Sequence, residues 1–134
     1  MKLKLGNLLL VLLFIPFIGN AQHKSQKDEN GIYSITEEMP EFPGGEEALR
    51  VFISDHLKYP EEAKANKISG KVYINFVVDE TGKVINPRIA RGVDPSLDKE
   101  ALRVIGLLPQ WTPGKDEGKP VKVSYTVPVK FKAE

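Results

Sequence analysis

The 134-residue sequence has no cysteine, two histidines and one tryptophan. Lack of cysteine excludes disulfides, thiolate metal ligands and a thiol nucleophile, so a domain made from this chain depends on its apolar core for stability. His23 lies in a polar stretch and His56 at the end of a helical pattern. Two isolated imidazoles fall short of the several convergent ligands a metal site needs, and no cofactor motif accompanies them. A Gly-x-Ser-x-Gly elbow, a Gly-rich phosphate loop and a His-Glu-x-x-His helix are also missing. Gly44-Gly45 is not followed by the Gly-Lys-Ser/Thr of a phosphate loop and reads as a turn. An excess of one charge is lacking too. With Lys2 and Lys4 removed from the 19 basic residues, they nearly balance 18 acidic ones, a net charge of about −1 that argues against nucleic-acid binding through a broad basic surface.

A long hydrophobic run is missing as well. The apolar stretch from Leu8 to Gly19 follows two lysines, contains Pro16 and ends at the small-residue site Gly19-Asn20-Ala21. A membrane-spanning helix needs roughly 20 apolar residues, so residues 1–21 read as a cleaved secretory signal. The alternative is an uncleaved anchor holding the protein at the inner membrane, facing the periplasm. Residues 22–39 are expected to be a flexible leader, polar at first, with a weak strand signal from Ile32 to Met39. Residues 40–134 form one domain's worth of chain.

Within that domain, Pro40-Glu-Phe-Pro-Gly-Gly45 reads as a turn before a helix from Glu46 to Leu57, whose Leu49, Phe52, Ile53 and Leu57 share one face. Pro60 opens a second short helix, stopping near Gly70. Lys71 to Asp79 alternates as a strand with Val72, Ile74, Phe76 and Val78 on one side. Asp79-Glu-Thr-Gly82 turns the chain into a second arm, Lys83 to Arg91, which Pro87 disturbs. Ser96 to Leu108 is a helix, capped by Asp94 or Ser96 and ended by Pro109. After a polar loop from Lys115 to Pro120, Val121 to Phe131 is the clearest strand, apolar at every odd position. The order predicts an α+β fold: a small antiparallel three-stranded sheet, hairpin plus C-terminal edge strand, packed against helices. Trp111, bracketed by Pro109 and Pro113, fits core packing where helix meets sheet better than an exposed ligand platform.

Catalysis finds little support. Glu37-Glu38, Glu46-Glu47 and Glu61-Glu62 are sequence neighbours, and adjacent residues on a helix do not converge on one substrate. Binding has a better foundation in the last strand. Pro128 has no N–H and is confined mainly to edges or bulges, so this strand is expected at an edge. An open edge accepts an extended peptide as an added strand; equally, Pro128 and its neighbouring lysines protect such an edge from aggregation.

From Pro40 to Phe131 the chain resembles the C-terminal domain of TonB, the periplasmic energy transducer of Gram-negative bacteria. The resemblance is carried by Tyr59-Pro60 with Ala63, Gly70-Lys71-Val72, Phe76-Val77-Val78-Asp79 with Gly82 and Val84, and Gly92-Val-Asp-Pro95 with Leu97-Asp98 and Ala101. It continues through Pro109-x-Trp111-x-Pro113-Gly114, Gly118-x-x-Val121 and Val127-Pro-Val-x-Phe131, while the Pro-Glu-Phe-Pro-Gly-Gly lead-in resembles the version found in Bacteroidetes. The resemblance implies a non-enzymatic domain that binds outer-membrane TonB-dependent transporters, whose N-terminal box peptide adds as a strand beside the domain's last strand. Carried over, the partner-binding residues are Lys122, Val123, Ser124, Tyr125, Thr126, Val127, Pro128, Val129 and Lys130, with Tyr59 and Pro60 as a second contact. The alternative is an envelope interaction module that pairs its edge with a second copy, forming a homodimer. A long Pro-rich spacer is not among the shared features: a leader of about ten residues reaches only about 33 Å when extended.

Overall fold

Alternation decides the centre of the molecule. Val72, Ile74, Phe76 and Val78 on one strand, with Val123, Val127, Val129 and Phe131 on another, are all buried on the same side of one sheet. The computed structural model describes residues 25–133; the expected signal sequence lies outside the described residues. In chain order its elements are β1 (Gln26–Lys27), β2 (Tyr33–Ile35), α1 (Gly45–His56), α2 (Glu61–Ala65), β3 (Gly70–Val78), β4 (Val84–Arg91), α3 (Pro95–Ile105), β5 (Gly114–Asp116), β6 (Lys119–Val121) and β7 (Val123–Phe131).

The fold is α+β as expected, but the main sheet has five strands rather than three, in the order β1-β2-β7-β3-β4. The three expected strands are its right-hand part, β3 pairing antiparallel with both β4 and β7. The other two come from residues 22–39: β2 lies within the weak strand signal from Ile32 to Met39, and β1 in the part expected to be flexible. Asp28 closes their turn, its Oδ1 accepting from the Asn30 and Ile32 amides at 2.8 and 2.9 Å. Further along, Glu38 and Lys115 exchange backbone hydrogen bonds, as do Glu41 and Thr112, and the Thr36 hydroxyl donates to the Lys115 carbonyl at 2.6 Å. Tertiary pairing supplies the order that composition does not reveal.

Local chemistry explains the other boundaries. Asp94 caps α3, accepting from the Ser96 amide at 3.0 Å and the Ser96 hydroxyl at 2.5 Å, and Pro95 takes the first helical position, where its missing N–H costs nothing. The Ser96 hydroxyl holds the Asp94 carboxyl below its ordinary range. Helix α3 stops at Ile105, three residues before the expected end, because the chain turns at Gly106. Residues Lys115 to Pro120, read as a loop, instead carry the short hairpin β5-β6, turned by Glu117 and Gly118, both with positive φ. The closing strand accordingly begins at Val123, after a break at Lys122, and not at Val121. As expected from Pro87, the β3-β4 ladder slips there, between the pairs Asn75↔Arg88 and Val77↔Ile85.

Helices α1, α2 and α3 cover the apolar face of the sheet. Leu49 and Ile53 of α1, Ala63 of α2 and Leu97, Ala101, Val104 and Ile105 of α3 join one core with Phe42 and Trp111. Trp111 is 3% exposed. Its ring meets Phe42, Phe76 and Tyr125 edge to face, at centroid distances of 5.7, 5.6 and 5.1 Å. The tryptophan is therefore a core residue, directly beneath the last strand.

Candidate functional site

A β-strand turns the backbone groups of successive residues to opposite sides, and this parity sets what β7 offers. Tyr33 pairs in parallel with Val123, and its N–H donates to the Lys122 carbonyl at 2.8 Å. The even-numbered residues therefore present their N–H and C=O groups away from β3, and the odd-numbered ones bond to β3. Beyond this single rung, nothing among the described residues pairs with the outer side of β7. The expected edge strand is thus an edge from Ser124 onward, while its first rung is taken by β2.

Pro128 now has a physical explanation. It stands opposite Tyr73 in the β3 register and carries even parity, so its missing N–H faces the open side. The β3-β7 ladder loses no bond. The open edge keeps the amides of Thr126 and Lys130 as donors, and the carbonyls of Thr126, Pro128 and Lys130 as acceptors.

Even parity also puts Ser124, Thr126, Pro128 and Lys130 side chains on the solvent face, while Val123, Val127 and Val129 are buried and Tyr125 is half-buried. Asn75 fastens that outer face: its Nδ2 donates to the Ser124 and Thr126 hydroxyl oxygens at 2.9 and 3.0 Å, and its Oδ1 accepts from Arg88 Nε at 3.2 Å. Beneath, Tyr125 stacks on Phe76 at 5.8 Å and rests edge-on against Trp111. Burial raises the Tyr125 phenol above its ordinary pKa, with the Glu46 carboxylate adding to the effect. The strand is held on both faces, so its free side is a fixed template.

The sequence-derived residues do not all come together. Lys122 to Lys130 form one continuous line, but Tyr59 lies at its far end, packed edge-to-face on Phe131 at 5.7 Å with its hydroxyl donating to the Ile68 carbonyl. Pro60 borders a separate hollow shared with Ser96, Lys99 and Arg103 of α3. At that hollow Glu100 is ion-paired with Arg103 at 2.8 Å and accepts from the Lys58 amide at 2.6 Å. The Arg103 guanidinium, through its hydrogen bond, holds the Glu100 carboxyl below its usual range. Sequence reasoning missed a groove of about 570 Å³ between the open side of β7 and α1, lined by Leu49, Arg50, Ile53, Tyr125, Val127 and Pro128 among others. The apolar face of α1 was readable, but periodicity says only which side of a helix is buried and not which strand it lies beside.

Two comparisons bear on this arrangement. Residues 55–133, more than half of the chain, match the family model described as Gram-negative bacterial TonB protein C-terminal. No curated protein sequence matches. Among solved structures, two solution structures of the Helicobacter pylori TonB C-terminal domain share the fold at 21% identity over 64% of this chain. One is covered over 90% of its length with a TM-score of 0.50, the other over 78% with a TM-score of 0.51. TonB C-terminal domains are periplasmic, non-enzymatic domains of transport coupling. The fold, with its sheet backed by helices, and the matched span together place the chain in one family: it belongs to the Gram-negative TonB C-terminal domains.

Proposed function

We propose that this protein works in the periplasm as a peptide-binding module, taking an extended segment of an outer-membrane TonB-dependent transporter as an added strand along β7. The observation that carries this reading is the parity of β7: the strand is fully laddered to β3 on one side, and beyond the β2 rung no strand among the described residues pairs with its other side. Because β2 already holds the Lys122 carbonyl and, in the same parallel bridge, faces the Ser124 amide, the vacant length runs from the Ser124 carbonyl to Lys130. Tyr59 and Pro60 support the far end of the strand through Phe131 and are not part of the contact in this reading.

Titration of isotope-labelled protein with transporter box peptides tests the proposal. Amide shifts are expected to concentrate on Ser124 to Lys130; shifts elsewhere, or none at millimolar peptide, would reject it. A sharper check is Thr126→Pro. This residue faces Asn75 in a pair that exchanges no backbone bonds, so the ladder to β3 survives, but the edge loses a donor. The net value of one hydrogen bond, about 1 kcal/mol, together with the intruding ring, predicts that the dissociation constant rises roughly tenfold. An unchanged affinity with the fold intact would contradict strand addition.

A further inference from the structure

A strand laid against β7 at the usual spacing of about 4.8 Å has alternate side chains that point toward the helix layer. There they meet the groove between β7 and α1 rather than solvent. Its floor is apolar, made by Leu49 and Ile53 of α1 with Val127 of β7, and all three belong to the core. An added strand would thus extend the core by one more row. Helix α1, which supplies one wall, lies almost wholly before the residues that match the family model.

The groove has a charged end. Glu46, at its mouth, forms no ion pair among the described residues, while Glu47 is held by Arg50 one helical turn on. Beside Tyr125 the groove continues into a smaller hollow bordered by Glu41 as well as Glu46. Two carboxylates near one end of an apolar trough favour a cation there, and period two in an extended chain puts residues two apart on the same face. We infer, resting on the strand-addition reading above, that this groove selects the bound peptide: a large aliphatic or aromatic side chain over Leu49 and Ile53, with a lysine or arginine two positions away reaching Glu46.

The experiment is a selection of random displayed heptapeptides on the immobilised full chain, followed by titration of the winners into labelled protein. Winners are expected to share the apolar and basic residues at a spacing of two, and to shift α1 amides from Leu49 to Ile53 together with Ser124 to Lys130. Replacing the winner's apolar residue by aspartate should weaken binding more than about tenfold. Glu46→Gln, an exposed change, should weaken it about two- to fivefold. Winners that shift β7 alone, or that bind E46Q and the aspartate peptides unchanged, overturn the groove and leave strand addition standing. Shifts confined to α1, or no enriched peptide at all, overturn both.

Discussion

Trp111→Ala is expected to cost about 3–5 kcal/mol of folding stability, the range for truncating a fully buried large aromatic. The indole fills the space between Phe42 ahead of α1, Phe76 on β3 and Tyr125 on β7, so its loss removes three edge-to-face contacts and leaves a cavity under the sheet. Chemical denaturation gives the number, and a change under about 1 kcal/mol would show that the ring is not part of the core. Trp111→Phe should be the milder change. Nε1–H of Trp111 has no acceptor among the described residues, and an unsatisfied buried donor costs about 1–3 kcal/mol, a penalty that phenylalanine does not carry. Because Tyr125 rests on the indole, the alanine variant should also broaden the amide signals of β7 around that position.

Gly82→Ala is expected to be nearly as damaging, although it adds a single methyl group: in a turn whose neighbours Thr81 and Lys83 are exposed, Gly82 itself is buried. Gly82 has a φ of +90°, and its carbonyl accepts from the Trp111 amide at 2.8 Å. A Cβ built there would lie inside the contact distance of the Trp111 carbonyl oxygen, a backbone atom with no freedom to rotate away. Strain from a disfavoured φ costs about 1–3 kcal/mol and overpacking a similar amount, so roughly 2–6 kcal/mol is expected by denaturation. A neutral result would mean that the β3-β4 turn does not dock on the tryptophan segment. Gly118→Ala is the control. It shares the positive φ, at 77°, but nothing lies near its added carbon, so only the strain part should be seen.

How far the sequence could be read follows from which interactions carry periodicity. Long elements with one buried face declared themselves: α1 through Leu49 and Ile53, β3 through Val72 to Val78, and β7 through its odd residues. Pro128 correctly pointed to an edge, since a proline survives in a strand only where its nitrogen faces no partner. Strand β1 is too short for a pattern and pairs only with β2, six to nine positions on, whereas β2 falls within the weak strand signal from Ile32 to Met39 and is placed by a contact 89 positions away, Tyr33 with Lys122. The β5-β6 hairpin was hidden because Glu117 adopts a positive φ that its side chain does not advertise. The groove was unreadable for a related reason, being made by two elements whose separation in space no local pattern encodes.

The parity of β7 has a consequence for exchange chemistry. Along one strand, the amide protons of Tyr125, Val127 and Val129 are locked into the ladder with β3, whereas those of Thr126 and Lys130 face water. In heavy water the strand should therefore lose its protons at alternate positions, fast at even and slow at odd ones. A peptide that takes the open side would slow the even set and leave the odd set as it was. The protein thus carries its own reporter: two amide clocks that tell an occupied edge from a vacant one without a label on the partner.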